Sequence, residues 1–302
     1  MKVTIILSSP RSGSSWLSRV VRCVPDHSVF THNTFTTQFL YSLYPLHSVN
    51  PWGDDSISPS LLDRWRVGRV RSHIESRAGG NPIVLISPTL SNFLPLLSKA
   101  FPEAQYVHFQ RNAFDTIASM KKFMAKNDCG GFWDRYREHS YGGRLFATRG
   151  ALIHTVHRLR WMRLKYPGYL GLRPGGFQSA TKMSLIEFFA WYYSANQRDI
   201  VNGLREIPDD RKLGIHYEQM VENFDDESAR LLKFLTGGDA QYDIPRPHDG
   251  VKQGTVGRRN QFYDEQELAV IRDFLLANAP PSVLQPYGIV ADSSPKDEVL
   301  IQ

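Results

Sequence analysis

A short stretch of small residues near the start of the chain could bind an anion. Residues 10–16 are PRSGSSW, and they lie between an apolar run at residues 3–7 and an amphipathic pattern that begins at Ser14. A turn that enters a helix in this way presents unpaired backbone N–H groups and the positive end of the helix dipole. Its natural ligand is an oxyanion, and Arg11 adds a cation at its entry. The simpler alternative is a small-residue loop that only closes a strand–helix unit.

The turn differs from the G-x-x-x-x-G-K-[ST] loop of nucleoside triphosphatases in one decisive residue. Gly13 takes the place of the second glycine and Ser15 that of the Ser/Thr. The first glycine is replaced by Ser8, and the lysine is replaced by Ser14. Because the lysine that would reach a γ-phosphate is missing, the sequence predicts an anion cradle without the triphosphate arrangement.

Two further places could bind a second anion. Arg111 follows a predicted strand and Ser119 lies about two helical turns later, so a guanidinium and a hydroxyl could hold one phosphate together. A glycine-containing loop near the C-terminus combines close backbone approach with positive charge. Its residues are Lys252, Gly254, Gly257, Arg258 and Arg259. The alternatives are a surface arginine that forms ion pairs and a flexible surface loop.

Short apolar runs predict the strands that position these residues. The runs are Val3–Leu7, Ile83–Ile86, Tyr106–Phe109 and Leu213–Tyr217. Helical spacing or capping residues predict helices from Ser14 to before Pro25, from Ala113 to Met124, from Asp225 to Gly237, and from Asp264 to Pro280. Asn112 is expected to be an N-cap, with Asp115 completing a capping pair.

The alternation of strands and helices predicts an α/β fold with a central parallel sheet flanked by helices. We expect one domain over residues 1–290, with insertions at about 26–80 and 125–180 over one mouth of the sheet. Residues 291–302 are expected to form a flexible tail. Aromatic residues in both insertions could line an apolar or aromatic pocket, or they could simply form core.

Composition restricts the function classes. The chain has 302 residues and 36 Lys and Arg against 30 Asp and Glu, a net charge of +6 that favours anionic partners without indicating nucleic acid. Two cysteines exclude a disulfide framework and a four-thiolate zinc site. The apolar run at residues 3–7 is too short for a signal peptide or a membrane span, so a cytoplasmic location is expected.

Four segments, in order, resemble the sulfotransferases that use 3′-phosphoadenosine 5′-phosphosulfate (PAPS). Residues 10–17 resemble the family's 5′-phosphosulfate loop, and residues 101–112 resemble the strand that ends at its 3′-phosphate arginine. Residues 215–221 are similar to its R-Y-E-D-L-V strand end. Residues 252–259 are similar to its C-terminal glycine loop, which a Tyr287-Gly288 turn follows.

This resemblance implies a P-loop-like fold and transfer of a sulfuryl group from PAPS to a hydroxyl or an amine, with no metal. It implies that one set of residues binds the donor and its product, adenosine 3′,5′-bisphosphate (PAP). The set is Arg11, Ser12, Gly13, Ser14, Ser15, Trp16, Arg111, Ser119, Tyr217, Lys252, Gln253, Gly254, Gly257 and Arg258. Trp16 and Tyr217 could instead be core residues. The expected partners are a small-molecule or carbohydrate acceptor and, as an open alternative, a second copy of the chain.

The catalytic residues that we expect are Arg11, Ser119 and His32. Arg11 would neutralise charge on the bridging oxygen, and Ser119 would hydrogen-bond near it. The general base departs from the family pattern, because the K-[ST]-H segment is replaced here by residues 86–89, ISPT, and residues 29–35 contain no glutamate. His32 is the nearest proton acceptor there, with His27 and Asp26 in reserve.

Two other functions stay open at this point. An atypical P-loop kinase would require Mg²⁺-dependent ATP binding, which the missing lysine disfavours. A protein that binds PAP or PAPS but has lost its base would bind the nucleotide without turning over any acceptor.

Overall fold

The structure of the protein, a computed structural model, describes residues 1–31, 64–88, 90–127, 174, 176–180, 182–238, 244, 256–257 and 259–290. The strands in this part of the chain are β1 (Val3–Ser8), β2 (Ser28–Thr31), β3 (Ile83–Ile86), β4 (Gln105–Gln110) and β5 (Lys212–His216). They form one five-stranded sheet in the order β2-β3-β1-β4-β5, and every pair is parallel. The predicted α/β fold with a central parallel sheet is confirmed.

Helices and 3-10 turns connect the strands. The helices are α1 (Ser14–Arg22), α2 (Arg64–Ala78), α3 (Leu94–Ala100), α4 (Ala113–Asn127), α5 (Phe177–Ala180), α6 (Leu185–Leu204), α7 (Tyr217–Glu222), α8 (Phe224–Thr236), α9 (Arg259–Phe262), α10 (Glu265–Asn278) and α11 (Pro281–Leu284). The 3-10 turns are Leu90–Phe93, Asp209–Arg211 and Gln285–Tyr287. Among the helices of the described segments, none is long and apolar enough to cross a membrane.

The central strand is apolar without alternation because helices cover both of its faces. Every residue of β1 is buried. Ile5 packs in a core with α2 and α3, whereas its neighbour Ile6 packs in a second core with α1 and α8. A third core joins α4, α6 and α10, so α6 lies against the region where β4 leads into α4.

The start of α4 confirms one capping prediction and corrects another. The side chain of Asn112 accepts a hydrogen bond from the Phe114 N–H at 2.9 Å, as expected of an N-cap. The same oxygen accepts from the Asp115 N–H at 3.4 Å, so one half of the predicted capping pair forms. The reciprocal half, from the Asn112 N–H to the Asp115 carboxylate, is wrong. The Asp115 carboxylate accepts instead from the Gly257 N–H at 3.0 Å, and the Asn112 N–H donates to Glu218 at 3.0 Å.

Two other helix ends agree with the sequence. Gly237 ends α8 in the left-handed conformation with φ 79°, as the C-cap glycine of a helix does. Asp264 caps α10 by accepting from the Glu267 N–H at 2.7 Å.

The sequence analysis predicted an insertion at about residues 26–80, but parts of this range belong to the sheet and its core. Ser28–Thr31 forms the edge strand β2, which pairs with β3, and α2 at Arg64–Ala78 packs into the core beneath the sheet. The four residues of β2 are too few to show a clear hydrophobic period. In α2, several arginines interrupt the apolar pattern formed by the packed residues Val70 and Ile74.

Gly203 allows α6 to pass close to Leu94. A Cβ at Gly203 would lie 2.1 Å from Leu94 Cδ2 and 3.0 Å from its Cγ. Gly203→Ala should therefore lower the free energy of unfolding by about 1–3 kcal/mol, measured by urea denaturation. Gly68→Ala in α2 is the matched control, because nothing lies within 4 Å of its Cβ position and alanine favours helix by about 0.5–1 kcal/mol. Equal effects of the two substitutions would contradict this account.

Candidate active site

The β1–α1 turn leaves backbone N–H groups available above the carboxyl end of the sheet. Its inner side is fixed by Ser12, whose hydroxyl donates to the Ser9 carbonyl at 2.5 Å. Gly13 is the N-cap of α1, with φ 98°, and it has no side chain to cap the helix. The first N–H groups of an α-helix lack intrahelical acceptors, so those of Ser14 and Ser15 lie at the positive end of α1 without an acceptor inside the helix.

Glycine is required at position 13 because an aromatic ring packs directly against the turn. A Cβ there would lie 2.7 Å from Cδ2 and Cε2 of Tyr217. A larger residue with the same positive φ would have to displace the ring or the turn. Two constraints therefore favour glycine at position 13, its positive φ and the close approach of a residue from α7.

Arg11 brings together two of the side chains that the sequence had placed in the site. Its Nε donates to Ser119 Oγ at 3.3 Å, and its guanidinium lies 4.7 Å from the centre of the Phe123 ring. Its backbone carbonyl accepts from Arg111 Nη1 at 3.2 Å. Arg11, Arg111 and Ser119 come from three parts of the chain, and Arg11 contacts both of the others.

Arg111 lies deep in this group. It is 8% exposed, and its guanidinium lies 4.4 Å from the centre of the Tyr217 ring. An aromatic face and a carbonyl oxygen both stabilise a cation that has lost most of its water. Two positive side chains therefore lie at one edge of the sheet, next to the N-terminus of α1.

Trp16 and Tyr217 are both buried, at 7% and 3% exposure. The ring of Trp16 contacts Tyr217 at a centroid distance of 5.9 Å and Phe224 at 6.0 Å, edge to face in both cases. Their packing within the core is what the structure shows. Stacking of either ring on an adenine stays a prediction.

Gly257 is the expected site residue of the C-terminal glycine loop that the structure describes, and it lies in the same region. Gly257 has φ 74° and donates its N–H to Asp115 in the first turn of α4. The other expected members of this loop, Lys252, Gln253, Gly254 and Arg258, lie outside the described residues, as does His32. Strand β2 ends at Thr31, at the carboxyl edge of the parallel sheet that also carries the β1–α1 turn.

A comparison with protein families shows to which family the chain belongs. The sequence model described as the sulfotransferase family matches residues 4–169, more than half of the chain, including the β1–α1 turn, Arg111 and Ser119. The chain belongs to the sulfotransferase family. No curated protein sequence matches this sulfotransferase significantly.

Solved structures similar to this sulfotransferase have low sequence identity. The sulfotransferase domain from the curacin biosynthetic pathway is 15% identical, with a TM-score of 0.43, and the match covers 82% of this chain and 78% of that one. A sulfotransferase from Alicyclobacillus acidocaldarius is 12% identical, with a TM-score of 0.44 and coverage of 91% and 96%. Mouse sulfotransferase SULT7A1, complexed with PAP, is 14% identical, with a TM-score of 0.44 and coverage of 92% and 84%.

Beneath its β1–α1 turn, the sulfotransferase has a buried chain of neutral polar groups that sequence reasoning missed. Gln110 Nε2 contacts His108 Nδ1 at 3.1 Å, and His108 Nε2 contacts Gln197 Oε1 at 2.8 Å. Gln197 Nε2 in turn donates to Ser9 Oγ at 2.9 Å. Because an amide nitrogen only donates, Nδ1 of His108 must accept and Nε2 must carry the hydrogen. The chain therefore ties α6 and β4 to the first residue of the turn.

Sequence reasoning also missed Tyr193 and Glu218, which contact the peptide group between Arg111 and Asn112. Tyr193 is on α6, and its hydroxyl donates to the Arg111 carbonyl at 3.1 Å. A capping box at the start of α6 was the signal that could have revealed this helix. Ser184 and Glu187 bond reciprocally there, and the Ser-x-x-Glu spacing is visible in the sequence.

His108 makes the stability of this region dependent on pH. Burial lowers its pKa from an ordinary value of 6.5 to about 4, although the hydrogen bond to Gln197 acts in the opposite direction. As the pH falls through this window, the unfolded chain binds a proton that the folded chain does not. The histidine's contribution to the free energy of unfolding is therefore complete above the unfolded pKa and is lost towards the folded pKa, by at most about 1.4 kcal/mol per pH unit.

His108→Asn should accordingly give a smaller decrease in unfolding free energy than the wild type between about pH 7 and about pH 5, measured by urea denaturation. His27→Asn is the control, because His27 lies outside the chain of polar groups and contacts the Pro25 carbonyl. A slope in His108→Asn equal to that of the wild type would show that His108 does not titrate as described.

Proposed function

We propose that this sulfotransferase transfers the sulfuryl group of PAPS to a hydroxyl or an amine of a small-molecule or carbohydrate acceptor by in-line displacement. The observation that supports this most strongly is the convergence of Arg11, Arg111 and Ser119 beside the N-terminus of α1. Sulfuryl transfer, like phosphoryl transfer, depends mainly on positioning and on stabilisation of negative charge. A site made of cations, a hydroxyl and backbone N–H groups suits that requirement.

The residues present fit a donor with negative charge at both ends. The N–H groups of the β1–α1 turn and the N-terminus of α1 suit a 5′-phosphosulfate, since oxyanions are stabilised at that end of a helix. Arg111 suits a 3′-phosphate, and the glycine loop near Gly257 approaches the first turn of α4 that follows Arg111. The β1–α1 turn and the Arg111 side chain lie close together, because Arg111 donates a hydrogen bond to the backbone of the turn.

Arg11 is the residue that we assign to stabilising the reaction. When bound, PAPS supplies an activated sulfuryl group, and its departure leaves PAP as a stable anion. The Arg11 guanidinium would balance the negative charge that develops on the bridging oxygen. Its hydrogen bond to Ser119 holds Nε, and the Phe123 ring supports the guanidinium plane. Ser119 thereby acts on Arg11 as well as serving the expected 3′-phosphate site.

The acceptor must lose a proton as the new S–O or S–N bond forms, and we assign that proton to His32. The position of β2 supports this assignment, because the strand ends at Thr31 on the carboxyl edge of the sheet.

Nucleotide binding tests the donor assignment. PAP should raise the melting temperature without added metal, whereas ATP with Mg²⁺ should do little. Arg111→Ala should weaken PAP binding by about 1–3 kcal/mol in calorimetry, because a charge-assisted contact to phosphate is lost. Arg71→Ala is the control, since Arg71 is exposed on α2 and pairs with Glu75. Tight Mg²⁺-dependent ATP binding would favour a kinase instead.

Transfer of labelled sulfate from PAPS to phenols, sterols, sugars and other alcohols tests the reaction itself. His32→Ala should reduce turnover about 10²–10⁴-fold without changing PAP affinity, because a general base acts on the acceptor and not on the nucleotide. His27→Ala serves as the matched variant for the reserve base. A fully active His32→Ala enzyme would place the base elsewhere, and PAP binding without any transfer would indicate a binding protein.

A further inference from the structure

One peptide group at the end of β4 is held from both sides. The Arg111 carbonyl accepts a hydrogen bond from the Tyr193 hydroxyl at 3.1 Å, and the Asn112 N–H donates to Glu218 Oε1 at 3.0 Å. This carbonyl and this N–H belong to the same peptide plane, and they point in opposite directions across it. Rotation of the plane would break one bond or the other.

The two residues that hold this plane are themselves fixed. Tyr193 is fully buried in α6, and burial raises the pKa of its phenol well above the ordinary value, so the hydroxyl stays protonated and can donate. Glu218 is partly buried at the start of α7, directly after Tyr217. Burial raises the pKa of Glu218, while the Asn112 N–H, Arg111 and Tyr287 act to lower it.

Tyr287 also belongs to this group, through a hydrogen bond with the Glu218 side chain. Its hydroxyl contacts His216 Nδ1 at 3.1 Å, and its pKa is raised by burial and by the neighbouring Glu218 and Tyr193. Residues from α6, α7 and the C-terminal 3-10 turn thus surround the peptide plane that follows Arg111.

This peptide group helps to fix the backbone position of Arg111. The Arg111 Cα is held by strand β4 on one side and by this peptide on the other, so loss of a hydrogen bond to the peptide lets the Cα shift, and the long side chain carries that shift to the guanidinium. The guanidinium contacts, 3.2 Å to the Arg11 carbonyl and 4.4 Å to the Tyr217 ring, require one direction. Binding groups need placement to within about 0.5 Å, which residues behind them must supply.

We propose that Tyr193 and Glu218 are positioning residues that set the direction of Arg111 and thereby the preference for a nucleotide with a 3′-phosphate. The proposal rests on the proposed function, since it needs PAP as the ligand of Arg111. Neither residue is among those expected to bind the nucleotide. What each contributes is one hydrogen bond to the same peptide group.

The chemistry of Glu218 separates this role from a purely electrostatic one. Its negative charge attracts the Arg111 guanidinium but repels an incoming phosphate, so the charge does not by itself favour the phosphate-bound state. Its Oε1 acts only as an acceptor for the Asn112 N–H, and a glutamine provides the same acceptor oxygen without the charge. Glu218→Gln should therefore keep the orientation of Arg111, whereas Glu218→Ala should lose it.

The experiment compares the affinities of PAP and adenosine 5′-phosphate, which lacks the 3′-phosphate, by calorimetry. The preference for PAP is the dissociation constant of adenosine 5′-phosphate divided by that of PAP. In Tyr193→Phe and Glu218→Ala this ratio should fall about 2- to 10-fold from the wild-type ratio, which is the size of one lost hydrogen bond. Glu218→Gln should keep the wild-type ratio or raise it. Glu222→Ala, an exposed position at the end of the same helix, is the matched control.

The outcomes distinguish failure of the proposed function from failure of the positioning role alone. A wild-type protein that does not bind PAP would overturn the proposed function and this inference together. PAP binding with an unchanged ratio in Tyr193→Phe and Glu218→Ala would overturn the inference alone. So would an equal loss in Glu218→Ala and Glu218→Gln, or parallel weakening of both nucleotides, which a general loss of structure would cause. Tyr193→Phe keeps the shape of the side chain, so it decides the question even if Glu218→Ala does not fold.

Discussion

The hydrogen bond from the Arg111 guanidinium to the Arg11 carbonyl is the contact on which the arrangement of the site depends. It connects the end of β4 to the β1–α1 turn at the carboxyl edge of the sheet. A cation this deeply buried must have its solvation replaced, and here a carbonyl, an aromatic ring and a nearby carboxylate replace it. The turn and the strand therefore keep one fixed relation, and the two cationic side chains remain neighbours.

The strand order explains why the site forms at this edge. β1 lies between β3 on one side and β4 on the other, so the chain leaves β1 and returns on opposite sides of it. In open parallel sheets a crevice forms outside the carboxyl ends of the strands at such a point. The turn after β1 and Arg111 after β4 follow the two neighbouring strands at that point. Helix α6 supports both, through Gln197 below the turn and Tyr193 behind Arg111.

Local patterns were sufficient to predict most of the sheet and the small-residue turn between β1 and α1. The uninterrupted apolar run of β1, the glycine at position 13 and the capping residue Asn112 each act through near neighbours in sequence. The partner of Asp115 could not be found in this way. Its hydrogen bond joins positions 142 residues apart, and only the tertiary structure decides between Gly257 and a local cap.

Helix α6 shows a second kind of limit. Its residues from Phe188 to Tyr193 are all buried, so the apolar pattern has no polar side from which a period can be recognised. The polar residues that matter there, Tyr193 and Gln197, face inward to bond the backbone at Arg111 and the hydroxyl of Ser9. A sequence pattern that expects polar residues at the surface cannot identify them. Their roles follow only from what they contact.

The backbone at Arg11 has its own consequence. Its φ of 68° lies in the left-handed region, where a side chain other than that of glycine, asparagine or aspartate costs on the order of 1 kcal/mol. Glycine or asparagine would relieve that strain, and neither would bring a charge. The turn with Arg11 is therefore less stable than the same turn would be with glycine or asparagine. A screen that selected variants only for heat resistance would tend to discard the arginine.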